Sequence, residues 1–181
     1  MINISDRSCI EVRDKWITVI GTGLSGTSSA ILANYLGAKV FISDPSSSYS
    51  VAATSTELVY KHHIAVESGI QTNRIYDADL WIISPGVPKN SSIITKAQEK
   101  NIPIVGEIEF ASWFTNSPII AVTGSNGKTT TSCIINEIFN SQDFYSVVAG
   151  NIGIPFSSEV LKEIMNPNDT QIYVLECSSF Q

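Results

Sequence analysis

Trp16-Ile17-Thr18-Val19-Ile20-Gly21-Thr22-Gly23-Leu24-Ser25-Gly26 carries more architectural information than any other part of the chain. Its first five residues are β-branched or aromatic and make a short strand. Gly21 closes the strand. Helical spacing begins at Leu24 and runs to Leu36, where Gly37 is a stop signal. The glycines fit G-x-G-x-x-G at a strand-to-helix junction. Glycine there allows positive φ and leaves the bare N–H groups of a helix N-terminus open to an anion. Asp44 lies 23 residues after Gly21, at the end of the next apolar run, 39–43. Its carboxylate could accept hydrogen bonds from a nucleoside. Taken alone, this loop reads either as a nicotinamide-dinucleotide site or as a tight turn needed only for packing.

Outward from this unit the same alternation continues. The pattern predicts a Ser-rich loop at 45–50, a helix at 55–62 and a small strand at 64–66. A strand at 80–83 is stopped by Ser84-Pro85-Gly86. A helix at 91–100, a strand at 102–105 and a short helix at 107–114 follow. A candidate domain boundary falls at 114–117, after which the pattern restarts: strand 118–122, helix 128–140, strand 146–149, helix 158–164, strand 172–175. Strands alternating with helices imply parallel βαβ units, and apolar strand runs imply sheets covered on both faces. The expectation is an α/β fold. A Rossmann-like domain would occupy 1–115, and the truncated start of a P-loop ATPase-type domain 116–181. Eight of the 11 glycines, at 21, 23, 26, 86, 124, 127, 150 and 153, follow predicted strands. That is the edge where open α/β sheets bind ligands.

Gly124-Ser125-Asn126-Gly127-Lys128-Thr129-Thr130 is a second strand-to-helix loop. Its N–H groups would wrap nucleotide phosphates, Lys128 would reach the β/γ oxygens, and the Thr129 hydroxyl would face Mg²⁺. It departs from G-x-x-x-x-G-K-[ST], because Val122 stands where that pattern wants glycine. Gly150-Asn151-Ile152-Gly153 follows the next strand, and an Asn between turn glycines is also common for conformational reasons alone. Glu176 ends the last strand run. It reads equally as a Mg²⁺ ligand or as a solvated strand end.

The 181 residues are 43% hydrophobic and 15% charged, with net charge −6 and mean hydropathy +0.13. General disorder is excluded. No run of Lys or Arg exists, so neither nucleic acid nor an anionic membrane is an expected partner. No apolar run approaches the ~18 residues of a membrane span, and the N-terminus has no signal-peptide core. Cys9, Cys133 and Cys177 fit neither a disulfide framework nor a zinc site, which points to reduced thiols and a cytoplasmic setting. His62-His63 reads as a polar helix end, Trp16, Trp81 and Trp113 as packing residues, and Glu107 and Glu109 as helix N-terminal acids.

Together the motifs IGTGLSG (20–26), SPGVP (84–88), IVGEIE (104–109), VTGSNGKTT (122–130), GNIG (150–153) and LECSSFQ (175–181) resemble the Mur ligases of peptidoglycan synthesis, and among them the D-glutamate-adding branch. Cys177 stands where that family usually has Leu. The resemblance implies an ATP- and Mg²⁺-dependent amide-bond ligase with UDP-N-acetylmuramoyl-L-alanine and D-glutamate as substrates. It would work through an acyl phosphate and be a monomer when full length. By position, Gly124, Ser125, Asn126, Gly127, Lys128, Thr129 and Thr130 would bind ATP, with Lys128 catalytic. Thr129 and Glu176 would hold the metal. Gly23, Leu24 and Ser25 would hold the UDP diphosphate, Asp44 the uridine, and Ser84, Pro85 and Gly86 would close that pocket. Asn151 would contact the muramoyl group. The resemblance reassigns the first loop from a nicotinamide cofactor to UDP. It also implies that the low charge and the apolar stop at Gln181 reflect surface covered by further chain, and that these 181 residues alone do not catalyse ligation.

Overall fold

The computed structural model describes residues 2, 10–88, 90–151 and 153–178. Cys9, Ile152 and residues 179–181 of the last motif lie outside the described residues. The chain forms two compact units, Met1–Trp113 and Phe114–Gln181.

The first unit contains β1 (Trp16–Ile20), α1 (Leu24–Tyr35), β2 (Lys39–Asp44), α2 (Tyr49–His62), β3 (Ala65–Ser68), β4 (Leu80–Ile83), α3 (Ser92–Glu99), β5 (Ile104–Gly106) and α4 (Glu107–Ser112). The strands form one parallel sheet in the order β3-β2-β1-β4-β5. The chain builds outward from β1 on one side and then crosses to β4 on the other. The crevice between β1 and β4 is therefore a topological switch point, where such sheets take ligands. Register places Ile20 beside Ser43 and Ile83, so Gly21, Asp44 and Ser84 stand together just beyond.

Burial explains the strand sequences. Ile17, Val19, Ile42, Leu80 and Ile82 are at 0% exposure, and each contributes about 1.5–3 kcal/mol of burial. Phe41, Trp81, Ile20, Ile75, Ala97 and Ile102 make a core cluster on one face. Trp81 is fully buried, and its Nε1–H is satisfied by the Ile75 carbonyl at 2.7 Å.

Two local readings are corrected. Residues 45–50 are not all loop, because α2 starts at Tyr49. Ser48 caps it by accepting from Val51 N–H, and Ser55 and Thr56 hydroxyls bond back to the carbonyls of Val51 and Ala52. Only Leu58 of this helix is buried, so the apolar periodicity that announces a helix is weak there. A 3-10 turn at Asn73–Tyr76, capped by Thr72, leaves no sign in the sequence pattern. Four residues are too few to show a period. The remaining ends differ from expectation by one or two residues, as helix and strand ends commonly fray.

The second unit contains β6 (Ile119–Val122), α5 (Lys128–Asn140), β7 (Tyr145–Gly150), α6 (Phe156–Met165) and β8 (Gln171–Glu176). Its parallel sheet runs β6-β8-β7. The chain skips one place on going to β7 and returns to fill it with β8. All six residues of β8 are buried, whereas Ile119, Ile134, Ile138 and Tyr145 are exposed. Glu163 on α6 fastens the entry segment: its carboxylate accepts from Thr115 Oγ1 at 2.6 Å, Ser117 Oγ at 2.7 Å and the Tyr173 hydroxyl at 2.9 Å. Burial, with the Glu163 carboxylate beside it, pushes the Tyr173 phenol far above its ordinary range. No helix among the described residues is long and apolar enough to cross a membrane.

Candidate functional site

At the C-terminal edge of the first sheet the loop after β1 is tightly built. Gly21 has φ +99, and a Cβ there would sit 2.9 Å from Ser84 Oγ. A Cβ on Gly26 would run into the Gly21 carbonyl oxygen and lie 2.6 Å from Ser84 Oγ. Gly21 and Gly26 are thus required by close approach to the residue that follows β4. Gly23 is different. It precedes the first turn of α1 in an extended conformation, with no atom within 4 Å of the place a Cβ would take. Its end of α1 has no side-chain cap and no acid in the first turn, so the N–H groups stay available for an outside acceptor. Leu24 projects outward at 75% exposure, and Ser25 begins the helix beside it.

Asp44 is held firmly. Thr22 N–H and the Thr22 hydroxyl donate to its Oδ2 at 2.8 and 2.7 Å, and Ser46 N–H donates to Oδ1 at 2.9 Å. Burial pushes the carboxyl up, but the bonds from Ser46 and Thr22 outweigh it and leave the acid below its ordinary 3.8. The glycine motif does not single out Thr22, although its place between the loop glycines is what ties loop to acid. Ser84 N–H donates to Ile20 O, and Val87 N–H to Ser84 O, which turns Pro85 and Gly86 over the edge. No atom lies within 4 Å of a Cβ position on Gly86. The structure therefore brings Gly23, Leu24, Ser25, Asp44, Ser84, Pro85 and Gly86 to one sheet edge.

The second unit has its own edge site. Gly124 and Gly127 have φ +147 and +76, a conformation that L side chains rarely adopt. Gly127 caps α5 without a side-chain bond, and residues 124–127 are exposed. Lys128 Nζ is folded onto its own loop, donating to Gly124 O at 2.8 Å. Thr129 Oγ1 donates to Glu176 Oε2 at 2.9 Å. Thr130 stays exposed on the first turn of α5. Register pairs Val122 and Gly150 with Glu176, so all three strands end level. Asn151 N–H donates to Glu176 O at 2.8 Å, and Cys177 N–H to Val122 O at 2.9 Å. Asn151 thus stands beside Glu176 in the second unit.

Glu176 is only 2% exposed at the end of the central strand. A buried carboxylate needs a partner, and the Thr129 hydroxyl is one. A carboxylate and a hydroxyl beside a glycine loop are hard oxygen donors of the kind Mg²⁺ takes alongside nucleotide phosphates. The open N–H groups at the start of α5 suit the phosphates themselves. The residues present therefore fit MgATP. Among the described residues no three His, Cys, Asp or Glu side chains converge. Cys133 and Cys177 are free thiols, and burial followed by the neighbouring Glu176 charge pushes the Cys177 thiol up.

Comparison with known proteins gives the family. Residues 15–106 match the Mur ligase MurD-like N-terminal domain, and residues 122–181 the Mur ligase middle domain. The chain is 39% identical over 175 residues to UDP-N-acetylmuramoylalanine–D-glutamate ligase of Chloroherpeton thalassium, covering 94% of this chain and 36% of that protein. It is 40% identical over 168 residues to the enzyme of the same name from Bacteroides thetaiotaomicron, covering 92% and 36%. The chain thus spans little more than a third of the length of these curated relatives. Among solved structures, the murein peptide ligase of Psychrobacter arcticus superposes with a TM-score of 0.57 at 20% identity, covering 92% of this chain and 38% of that one. At that identity the likeness speaks to the fold. With both consecutive domains matched in order, the chain belongs to the Mur ligase family.

Proposed function

We propose that this chain forms the substrate-loading and nucleotide-loading part of an ATP-dependent amide-bond ligase. The ligase joins D-glutamate to UDP-N-acetylmuramoyl-L-alanine in peptidoglycan synthesis. One observation carries the reading: the chain has two glycine loops at two separate sheet edges, one with an ordered acid, the other with the Thr129–Glu176 pair at 2.9 Å. A nicotinamide enzyme would need the first loop alone and gives the second no task.

In this reading the N–H groups around Gly23, Leu24 and Ser25 hold the UDP diphosphate, Asp44 meets the uridine, and Ser84, Pro85 and Gly86 close that pocket. The N–H groups of residues 124–130 hold the ATP phosphates. Lys128 leaves the Gly124 carbonyl and turns to the β/γ oxygens, exchanging a neutral acceptor for a charged one, which is the stronger bond. Thr129 and Glu176 help hold Mg²⁺, and Asn151 contacts the muramoyl group. When bound, MgATP supplies the phosphoryl group that activates the substrate carboxylate as an acyl phosphate for attack by the D-glutamate amine. The protein's share is to set two anions against each other and neutralise them. The enzyme works in the cytoplasm, is a monomer when full length, and takes no nucleic acid or membrane as partner.

The test is ADP release by a protein of the relatives' length that carries this chain. Release is expected only when both UDP-N-acetylmuramoyl-L-alanine and D-glutamate are supplied. Release with a different amino acid would move the protein to another Mur-type activity. Binding of NADH without binding of the UDP-sugar would overturn the reading. The 181-residue chain by itself is expected to show no turnover.

A further inference from the structure

Away from both sheet edges, one cleft in the first unit gathers positive charge. It lies between the 3-10 turn Asn73–Tyr76 and α3, has a volume of about 410 Å³, and is lined by Asn73, Arg74, Tyr76, Asp77, Lys96 and Lys100. Its floor is aromatic. Tyr76 stacks on the buried Trp81 with ring centroids 5.4 Å apart. Lys96 and Lys100 Nζ stand 4.6 and 5.9 Å from the centre of the Tyr76 ring. Lys96 Nζ also donates to Asn73 Oδ1 at 2.9 Å. The Arg74 guanidinium lies 4.2 Å from the centre of the Phe41 ring.

Among the described residues, three Lys and Arg side chains and one carboxylate, Asp77, thus line one cleft, in a protein of net charge −6. The three cations are exposed, so water tolerates them side by side, and their field remains open to an arriving anion. The C-terminal end of α3 favours its own Lys96 and Lys100. It gives no reason for Arg74, which comes from a different element. The ring contacts and the Asn73 bond hold the ammonium groups in place beforehand, which lowers the entropy lost when a ligand arrives. The volume falls in the ~300–1,000 Å³ range of small-molecule sites. The position is separate from the UDP-type loop. Phe41 and Trp81 are mid-strand, three residues before Asp44 and Ser84, so the cleft lies roughly 10 Å back along the strands.

We propose that this cleft is a second anion site, taking a phosphate-bearing small molecule between Arg74, Lys96 and Lys100. The polar groups that line the cleft are the three cations, the Asn73 amide and the Asp77 carboxylate, so three positive charges face one negative; the Tyr76 ring lies against the two lysines.

The experiment is residue-resolved amide NMR of the 181-residue chain titrated with inorganic pyrophosphate. Saturable shifts are expected at 73–77 and 96–100, with a dependence on concentration different from any at 21–26 and 124–130. Lys96→Ala with Lys100→Ala should weaken the cleft response about tenfold or more while leaving shifts at 124–130 unchanged. Lys96→Arg with Lys100→Arg keeps the charge and should retain binding. Thermal melting of both variants checks that the fold is intact. Shifts confined to the two glycine loops would overturn the proposal. So would binding by the double alanine variant equal to that of the parent, or a non-saturating response matched by sulfate at equal ionic strength.

Discussion

Loops 21–26 and 124–130 each join a parallel strand to a helix at the edge of a sheet, yet glycine serves different ends in them. In the first, Gly21 and Gly26 make room: a Cβ on either would press on Ser84, and on Gly26 also on the Gly21 carbonyl. In the second, Gly124 and Gly127 have open surroundings and are set by their dihedrals, φ +147 and +76. Thr22 and Gly26 of the first loop are buried while Gly23 and Leu24 are exposed, whereas all of 124–127 stands clear. The same motif logic therefore yields a rigid cradle in one unit and an accessible loop in the other. A side chain at Gly21 or Gly26 should therefore cost packing energy, whereas one at Gly127 meets no neighbour and costs only its dihedral strain.

Lys128→Ala gives the widest separation of the two. In a full-length protein it should reduce D-glutamate-dependent ADP release by at least about 10³-fold, because on the proposed reading the charge that would meet the phosphoryl oxygens is gone. Calorimetric binding of the UDP-substrate should hardly change. Retained activity would remove Lys128 from the chemistry.

Gly26→Ala should destabilise the first unit by about 3 kcal/mol or more, since the methyl meets backbone rather than a flexible side chain. Chemical denaturation measures it, and a loss under about 1 kcal/mol would mean that the loop is looser than its geometry.

Asp44→Ala should cost about 2 kcal/mol, leaving Thr22 N–H and hydroxyl unpaired at a residue only 7% exposed. The pH dependence carries a sign. The folded acid sits below its ordinary 3.8, so its contribution is present above that value and is lost as pH falls through the lower folded value. The stability gap between parent and variant should be constant above about pH 5 and close in stronger acid. A gap that widened in acid would contradict this.

Gly127→Ala should cost about 1–2 kcal/mol from the left-handed dihedral alone, with no steric addition. Gly23→Ala should change stability by less than about 0.5 kcal/mol, since its dihedrals suit any residue and its surroundings are empty. It should still weaken UDP-substrate binding by placing a methyl at the open N-terminus of α1. Gly23 and Gly26 are three residues apart and would then separate ligand contact from packing within one motif.

Much of the fold was legible. The apolar runs at β1, β2, β4 and β8 are buried on both faces, so their sequences hardly alternate and stand out. Only the second half of α2 was legible, because Leu58 alone faces a core, and polar hydroxyls rather than apolar spacing hold its first turns. The loops were legible as loops because glycine spacing is local. What ties them to the rest was not. Thr22 to Asp44, Gly26 to Ser84 and Thr129 to Glu176 span 22, 58 and 47 residues, and separations of that length leave no periodic trace in a sequence.

The sequence by itself determined the strand–helix alternation, the two glycine loops and the family to which they belong. These rest on short-range rules of period, turn and cap, which need only neighbouring residues. Tertiary structure decided the rest: that Asp44 is locked to Thr22, that Glu176 is buried against Thr129, and that Arg74, Lys96 and Lys100, scattered along a chain without a basic run, line one cleft. A sheet's strand order brings distant residues to one place, and the energy of charges and hydrogen bonds depends on that distance in space, not on their separation along the chain.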